Sequence, residues 1–173
     1  LPNASGVNLK KGSTDAIAVI VGDLLYPYYA KLLKQIAYCL NEHGKSIIVC
    51  DADNDFRTEL QHYQRMKSGY VDGAIIVPSP LTVTRENVKT VLKVLDGLDL
   101  PITFVCHGLP PFECYSTVGT PPYACGYLAA KHLLELGHRR IAYVSESLEH
   151  ETLNPKLLVF RAALREYGAG DCG

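Results

Sequence analysis

The sequence predicts an α/β fold, a doubly wound parallel sheet with helices on both faces. Short apolar runs alternate along the chain with longer segments whose apolar residues recur at helical spacing. The short runs are continuously apolar, which is typical of parallel strands that are buried on both faces. At 173 residues, with 47% hydrophobic and 20% charged residues, the chain is long enough for one complete domain and part of a second.

Four strands and three helices follow one another in the first 106 residues. A β-branched run at 17–21 predicts the first strand, and the helical pattern after it ends near Gly44. The other elements predicted in this part are a strand at 46–50, a helix at 56–66, a strand at 74–77, a helix at 88–95 and a strand at 102–106.

An irregular segment, 107–122, then interrupts the alternation with four of the ten prolines of the chain. The pattern resumes with a predicted helix from about 123 to 136, a strand at 141–145 and a final helix from about 155 to 167.

Three basic residues, His138, Arg139 and Arg140, lie between the last two of these helices, in the stretch LLELGHRRIAYVS. Gly137 is suited to the left-handed position that ends a helix, and cations near a helix C-terminus interact favourably with its dipole. The physical chemistry favours helix termination over a basic binding patch, and both interpretations remain open at this stage.

The charge balance gives no general attraction to nucleic acid or to anionic membranes, because 17 basic residues face 18 acidic ones. No apolar run approaches the ~20 residues that cross a bilayer, and the first residues lack the order of a signal peptide, so we expect a cytoplasmic protein without a membrane partner. The six cysteines form no C-x-x-C pair and no zinc spacing. We expect no metal and no cofactor.

Candidate ligand-binding residues cluster where the predicted strands end. Ligands of open parallel sheets bind beyond the carboxyl ends of the strands. The residues there are Asp23, Tyr26, Tyr28, Tyr29, Asp51 and Asp53, of which Tyr29 is expected to be the first core residue of the helix. Aromatic faces stack on rings while carboxylates accept hydroxyl or amino hydrogens, so this set suits a neutral polyhydroxylated or heterocyclic ligand. A purely structural role is the alternative, in which the aspartates cap helices or close turns.

Catalysis finds little support in the motifs. A phosphoryl-transfer receiver domain needs an aspartate after the third strand, where this chain has Val77, Pro78 and Ser79. The turn after the first strand, GDLLYPYY, is not a glycine-rich phosphate loop, and no G-x-S-x-G elbow occurs. The remaining enzyme hypothesis places a metal ion among the three aspartates of the candidate site.

Several segments, in order, resemble the lactose/galactose repressor (LacI/GalR) family of bacterial transcription regulators. They extend from Pro2 to about Gly168, and the most specific are VDGAII and LGHRRIAYV. The full series is PNASGVNLKKGST, IAVIVGDLLYPYYAKLLKQI, SIIVCDADND, VDGAIIVPSP, LPITFVCHG, YLAAKHLLELGHRRIAYVS and FRAALREYG.

The resemblance implies a periplasmic-binding-protein-like core whose two subdomains close on a small effector, usually a sugar and sometimes a purine. It adds His107 and Lys156 to the expected effector contacts. It also implies a homodimer that binds operator DNA through a headpiece absent from this chain, with effector binding coupled to operator affinity. In the family a hinge leucine enters the minor groove, and the matching residue is Leu9, followed by Lys10 and Lys11.

On this basis we expect a hinge at 1–14, a first subdomain at 15–122, and a crossover helix with the start of a second subdomain at 123–173. The chain is shorter than a full core of the family, so we expect a fragment of a longer regulator. A solute-binding protein of a transport system is the alternative, and the hinge-like N-terminus counts against it.

Two departures from the family pattern bear on the ligand. Pro121 stands where an effector-binding aspartate is usual, and Lys156 stands where an arginine is common. Lysine lacks the planar, two-pronged donor geometry of arginine, so the effector is expected to be atypical or the usual effector control to be lost.

Overall fold

The computed structural model describes residues 13–79, 82, 84–105, 112, 114–119, 122–144 and 155–169. The chain divides into two compact units, Leu1–Val118 and Gly119–Gly173.

The first unit contains a five-stranded sheet in which all pairings are parallel, with the order β2-β1-β3-β4-β5. The strands are β1 (Ala16–Val21), β2 (Ser46–Asp51), β3 (Gly73–Ile76), β4 (Ile102–Val105) and β5 (Ser116–Val118). The helices of this unit are α1 (Pro27–Glu42), α2 (Phe56–Arg65), which continues into a 3-10 turn at Met66–Ser68, and α3 (Arg85–Leu95).

Both faces of the sheet are covered, which confirms the doubly wound α/β class. Successive side chains of a strand point to opposite faces. Ala18 and Ile20 of β1 pack in a core with residues of α2 and α3, whereas Val19 and Val21 pack in a second core with Leu33 of α1. A strand with both faces covered must be apolar throughout, as the sequence of β1 is.

The helices of the first unit begin at residues that suit helix N-termini. The carboxylate of Asp55 accepts the amide hydrogen of Thr58 at 2.8 Å, and the hydroxyl of Thr84 accepts that of Asn87 at 3.3 Å. Helix α1 instead has Pro27 in its first turn, where a missing amide hydrogen costs nothing.

The described part of the second unit contains two helices, α4 (Pro122–Glu135) and α5 (Pro155–Glu166), which approach closely at a glycine. A Cβ atom on Gly126 would lie 2.1 Å from the carbonyl oxygen of Lys156. The core of this pair includes Tyr127, Leu134 and Phe160. The close packing of α4 against α5 therefore depends on having a glycine, which has no side chain, at position 126.

Two elements differ from the sequence prediction. The prediction of a strand at 141–145 was wrong, because residues 141–144, which the structure describes, form no regular structure. A strand needs a hydrogen-bonded partner, and the described part of the second unit (119, 122–144 and 155–169) contains no strand that could pair with it. Conversely, β5 lies within the segment expected to be irregular, where it pairs with β4 through Phe104 and Thr117.

Candidate functional site at the carboxyl ends of the strands

The chain reverses its direction of winding next to β1. From β1 it moves to β2 at one edge of the sheet, and it then crosses back to β3 on the other side of β1. Loops that leave adjacent strands in opposite directions open a crevice, and ligands of open α/β sheets bind there. The loops after β1, β2 and β3 therefore border the candidate site.

The loop after β1 is held by two of the predicted aspartates. Asp23 accepts the amide hydrogen of Leu25 on Oδ1 at 2.8 Å, and Asp51 Oδ1 accepts that of Leu24 at 3.3 Å. The carbonyl oxygen of Asp23 also accepts the amide hydrogen of Tyr26 at 3.2 Å. Part of the hydrogen-bonding capacity of both carboxylates thus serves the backbone, as the structural alternative predicted, and each carboxylate has further lone pairs.

The loop after β2 contacts the loop after β1 through the backbone. The amide of Asn54 donates to the carbonyl oxygen of Gly22 at 2.5 Å, and Asp51 Oδ1 accepts the amide hydrogen of Asp53 at 3.1 Å. Asp53 and Asn54 both have left-handed backbones, with φ of 51° and 50°. Residues other than glycine adopt this conformation at a cost, and such strain is common at binding sites.

Aromatic and apolar side chains cover the same edge. Tyr26 and Tyr28 are 47% and 51% exposed, and Leu25 is 90% exposed. The ring centroids of Tyr26 and Tyr28 lie 5.7 Å and 5.5 Å from the ring centroid of Tyr29. Tyr29 itself packs into the α1 side of the core, and its burial raises the pKa of its hydroxyl. The rings of Tyr26 and Tyr28 are exposed enough to contact a ligand, whereas Tyr29 packs between them and the core.

A buried polar network that the sequence reasoning missed lies beside the loop after β3. Glu59, only 1% exposed, accepts hydrogen bonds from the hydroxyls of Tyr63 and Thr82, and the Thr82 hydroxyl lies 3.1 Å from that of Ser79. Burial is the main reason that the pKa of Tyr63 is raised. The i, i+4 spacing of Glu59 and Tyr63, with hydroxyl residues after β3, could have indicated it.

The structure brings together five of the predicted effector contacts at these loops: Asp23, Tyr26, Tyr28, Asp51 and Asp53. Lys156 lies in the second unit, at the second position of α5, and its side chain is half-buried. His107 and the hinge residues Leu9, Lys10 and Lys11 lie outside the described residues. Six of the predicted effector contacts thus have described positions, and the role of every predicted contact remains a prediction.

The metal-dependent alternative has no geometric support. Within the described residues, no group of three histidine, cysteine, aspartate or glutamate side chains is placed to hold a metal ion. The nearby His62 uses Nε2 in a 2.9 Å hydrogen bond to the carbonyl oxygen of Asp51. Among the residues that the structure describes, no helix is both long and apolar enough to span a membrane.

The comparison with protein families decides the classification. A family model described as periplasmic binding proteins and sugar binding domain of the LacI family matches residues 14–171. The chain belongs to this family. The family resemblance deduced from the ordered motifs is thereby confirmed.

Relatives of this LacI-family domain are named as regulators. The HTH-type transcriptional regulator DegA of Bacillus subtilis is 28% identical over 167 residues, which is 96% of this chain and 48% of that protein. The chain thus spans about half the length of the curated relatives it matches. DegA is named as a regulator and not as an enzyme, which supports the prediction that this LacI-family chain is not an enzyme and disfavours the transport alternative.

Solved structures of the family share the fold. A LacI-family regulator from Enterococcus faecium with bound ribose is 27% identical, with a TM-score of 0.64 over 90% of this chain and 54% of that one. The lac repressor dimer bound to operator and the anti-inducer ONPF is 16% identical, with a TM-score of 0.79 over 99% of this chain and 58% of that one. The latter shows the fold alone.

Proposed function

We propose that this chain is the effector-binding part of a DNA-binding transcription regulator, and that it holds a small molecule at the carboxyl ends of β1, β2 and β3. The observation that carries the proposal is the convergence of Asp23, Asp51, Tyr26 and Tyr28 at the point where the sheet reverses its winding. Asp53 belongs to the same surface. By family resemblance, His107 and Lys156 contribute further contacts.

The chemistry of this surface favours an uncharged ligand that carries hydroxyl or amino groups, such as a sugar or a nucleobase. Carboxylate oxygens accept such hydrogens, and the exposed faces of Tyr26 and Tyr28 stack on a ring. No lysine or arginine occurs at 22–28, 51–55 or 77–79. A phosphorylated ligand would meet several carboxylates at these loops, and Lys156 would be the only lysine or arginine among the proposed contacts, so a charged phosphate is disfavoured.

The regulatory part of the proposal concerns the whole protein. We propose that a homodimer binds operator DNA through a headpiece joined to the segment 1–14, and that Leu9, Lys10 and Lys11 form its hinge contacts. Ligand binding then changes operator affinity by favouring one of two conformations. The names of the relatives support this role, which would be exercised in the cytoplasm, where the operator lies.

Calorimetric titration of the full chain with ribose, other neutral sugars and nucleobases tests the ligand-binding part. We expect at least one compound to bind, and Tyr28→Ala to weaken its binding by roughly tenfold because a stacking face is lost. Tyr38→Ala is the matched control, since Tyr38 lies on the same helix and is 62% exposed. Absence of binding by the whole panel, or equal losses in the two variants, would contradict the proposal.

A further inference from the structure

The aspartate of the VDG motif lies at the end of the sheet opposite to the candidate site. Asp72 immediately precedes β3, so it belongs to the edge where the parallel strands begin. Its backbone amide donates to the carbonyl oxygen of Ala16, at the start of β1, at 2.8 Å. Effector binding at the carboxyl ends gives no account of this residue.

The carboxylate of Asp72 receives hydrogen bonds from three consecutive residues that precede β1. Oδ2 accepts from the hydroxyl of Ser13 at 2.5 Å and from the amide of Asp15 at 2.9 Å. Oδ1 accepts from both the amide and the hydroxyl of Thr14 at 2.7 Å. These bonds, led by that from Ser13, hold the pKa of Asp72 well below its usual range.

A lysine that precedes β2 completes the arrangement. The Lys45 ammonium lies 2.9 Å from Asp15 Oδ1 and 3.3 Å from Asp72 Oδ2. The carbonyl oxygen of Asp15 also accepts the amide hydrogen of Ser46 at 2.6 Å. One cluster thus joins the chain segments that lead into β1, β2 and β3; we call it the Asp72 clamp, formed by Ser13, Thr14, Asp15, Lys45 and Asp72.

The clamp holds the backbone of Asp15 in a conformation that residues other than glycine adopt at a cost. Asp15 has a φ of 53°, in the left-handed region, where residues other than glycine are disfavoured. Such a conformation persists only where neighbouring bonds determine it, and here both the amide and the carbonyl of Asp15 are engaged. The direction of the chain before β1 is therefore fixed.

Strand β1 connects the clamp directly to the candidate site. It has six residues and spans about 20 Å, and Ala18 to Val21 are fully buried. The clamp engages the residues before the strand, and Gly22, immediately after it, bonds to Asn54 in the ligand-site loop. A buried central strand transmits displacement as a rigid element, since its packed neighbours leave no room for bending.

We propose that Asp72 is a positioning residue that fixes the path of residues 13–15 immediately before β1. The inference rests on the proposed function in one respect, namely that this segment leads to the DNA-binding part of the regulator. The Asp72 clamp would then be the fixed joint between the hinge and the strand that carries the ligand-site loop.

Amide hydrogen exchange of the full chain, measured by NMR, tests this role. In Asp72→Asn we expect the amides of Thr14 and Asp15 to exchange about 10- to 100-fold faster, because a charge-assisted acceptor is lost. The amides of Val19 and Ile20, in the buried middle of β1, should change far less. Trypsin should also cleave faster after Lys11, since residues 13–15 must enter the protease.

Two further variants keep the test decisive. Asp96→Asn is the charge-matched control, because Asp96 accepts only the Tyr115 hydroxyl among its described bonds and lies outside the clamp. Thr14→Val retains the carboxylate and decides the matter if Asp72→Asn does not fold. Exchange at Asp15 that is unchanged in the variants, or that rises equally at Ile20, would reduce the clamp to a general stabilising contact. Neither measurement needs ligand or DNA, so the proposed function can fail independently.

Discussion

Gly126 is the residue on which the packing of the second unit depends most directly. The Cβ atom of an alanine at this position would lie 2.1 Å from the backbone carbonyl oxygen of Lys156 and 2.6 Å from a methyl group of Val159. A backbone atom cannot move aside without displacing α5. The position thus differs from Gly22, whose nearest obstacle is the flexible end of the Asn54 side chain.

We predict that Gly126→Ala destabilises the second unit by about 1–3 kcal/mol or more. Alanine is favoured over glycine in a helix by about 1 kcal/mol, so the net sign depends on the clash exceeding this gain. Chemical denaturation followed by circular dichroism measures the change. Gly97→Ala is the control, because its Cβ would meet nothing closer than 3.5 Å. A Gly126→Ala protein as stable as the parent would show that the two helices can separate without loss.

The candidate site was only partly predictable at the level of single residues. Asp23 and Asp51 could be found because they lie within two residues of the end of an apolar run, and the carboxyl ends of parallel strands lie at the same edge of a sheet. Glu59 could not be found in this way, since it lies within a helix and its partner Thr82 is 23 residues away. The local signal for Glu59 is its i, i+4 spacing to Tyr63, and the fold is needed to bring Thr82 to the same carboxylate.

At the level of elements, the stretch LGHRR ends α4 as the helix-termination interpretation predicts. Gly137 has a φ of 90°, and the amide of His138 donates to the carbonyl oxygen of Leu133 at 3.1 Å. Arg139 Nη1 donates to the carbonyl oxygens of Leu134 and His138 at 2.9 Å and 3.0 Å. The guanidinium therefore adds a charged donor to the carbonyl oxygen of Leu134, which also accepts the amide hydrogen of Gly137, and to that of His138 just beyond the helix.

We predict that Arg139→Ala lowers the stability of the second unit by about 1 kcal/mol, because two carbonyl oxygens lose a charged donor. Arg140→Ala is the control, since it removes the same charge from the neighbouring exposed position. Thermal unfolding of both variants measures the difference. In the intact regulator, operator affinity should be unaffected by Arg139→Ala, and a loss of affinity without a loss of stability would return the basic residues to the set of binding candidates.

A helix or strand could be predicted from the sequence where its own residues determine its conformation, and could not where a remote partner does. The long helices and the buried strands carry their periodicity in the sequence, so the α/β class and its chain order follow from it. Strand β5 has three exposed residues and owes its conformation to pairing with β4. The stretch 141–144 has a strand-like composition but no strand partner among the described residues of its unit. In both cases the deciding partner is remote in sequence.

At the scale of the whole molecule, the ionisable groups of the first unit predict a stability that falls at both ends of the pH range. The pKa values of Asp72 and Asp55 are lowered, mainly by hydrogen bonds from Ser13 and Thr58, so their contributions are complete above the unfolded value of about 3.9 and are lost as the pH falls below it. The pKa of Tyr63 is raised, mainly by burial, so its contribution is complete below about 10 and is lost as the pH rises further. Urea unfolding at a series of pH values should therefore give a free energy of unfolding that is constant between about pH 4 and pH 10 and falls on either side. Asp72→Asn should mainly flatten the acid limb, because the carboxylate with the lowered pKa is gone. It should also weaken the alkaline limb slightly, because Asp15 and Asp72 together raise the pKa of Lys45. Tyr63→Phe should flatten the alkaline limb and leave the acid limb unchanged. If both variants lowered the curve uniformly without changing its slopes, the stability of the sheet would not be linked to these protons.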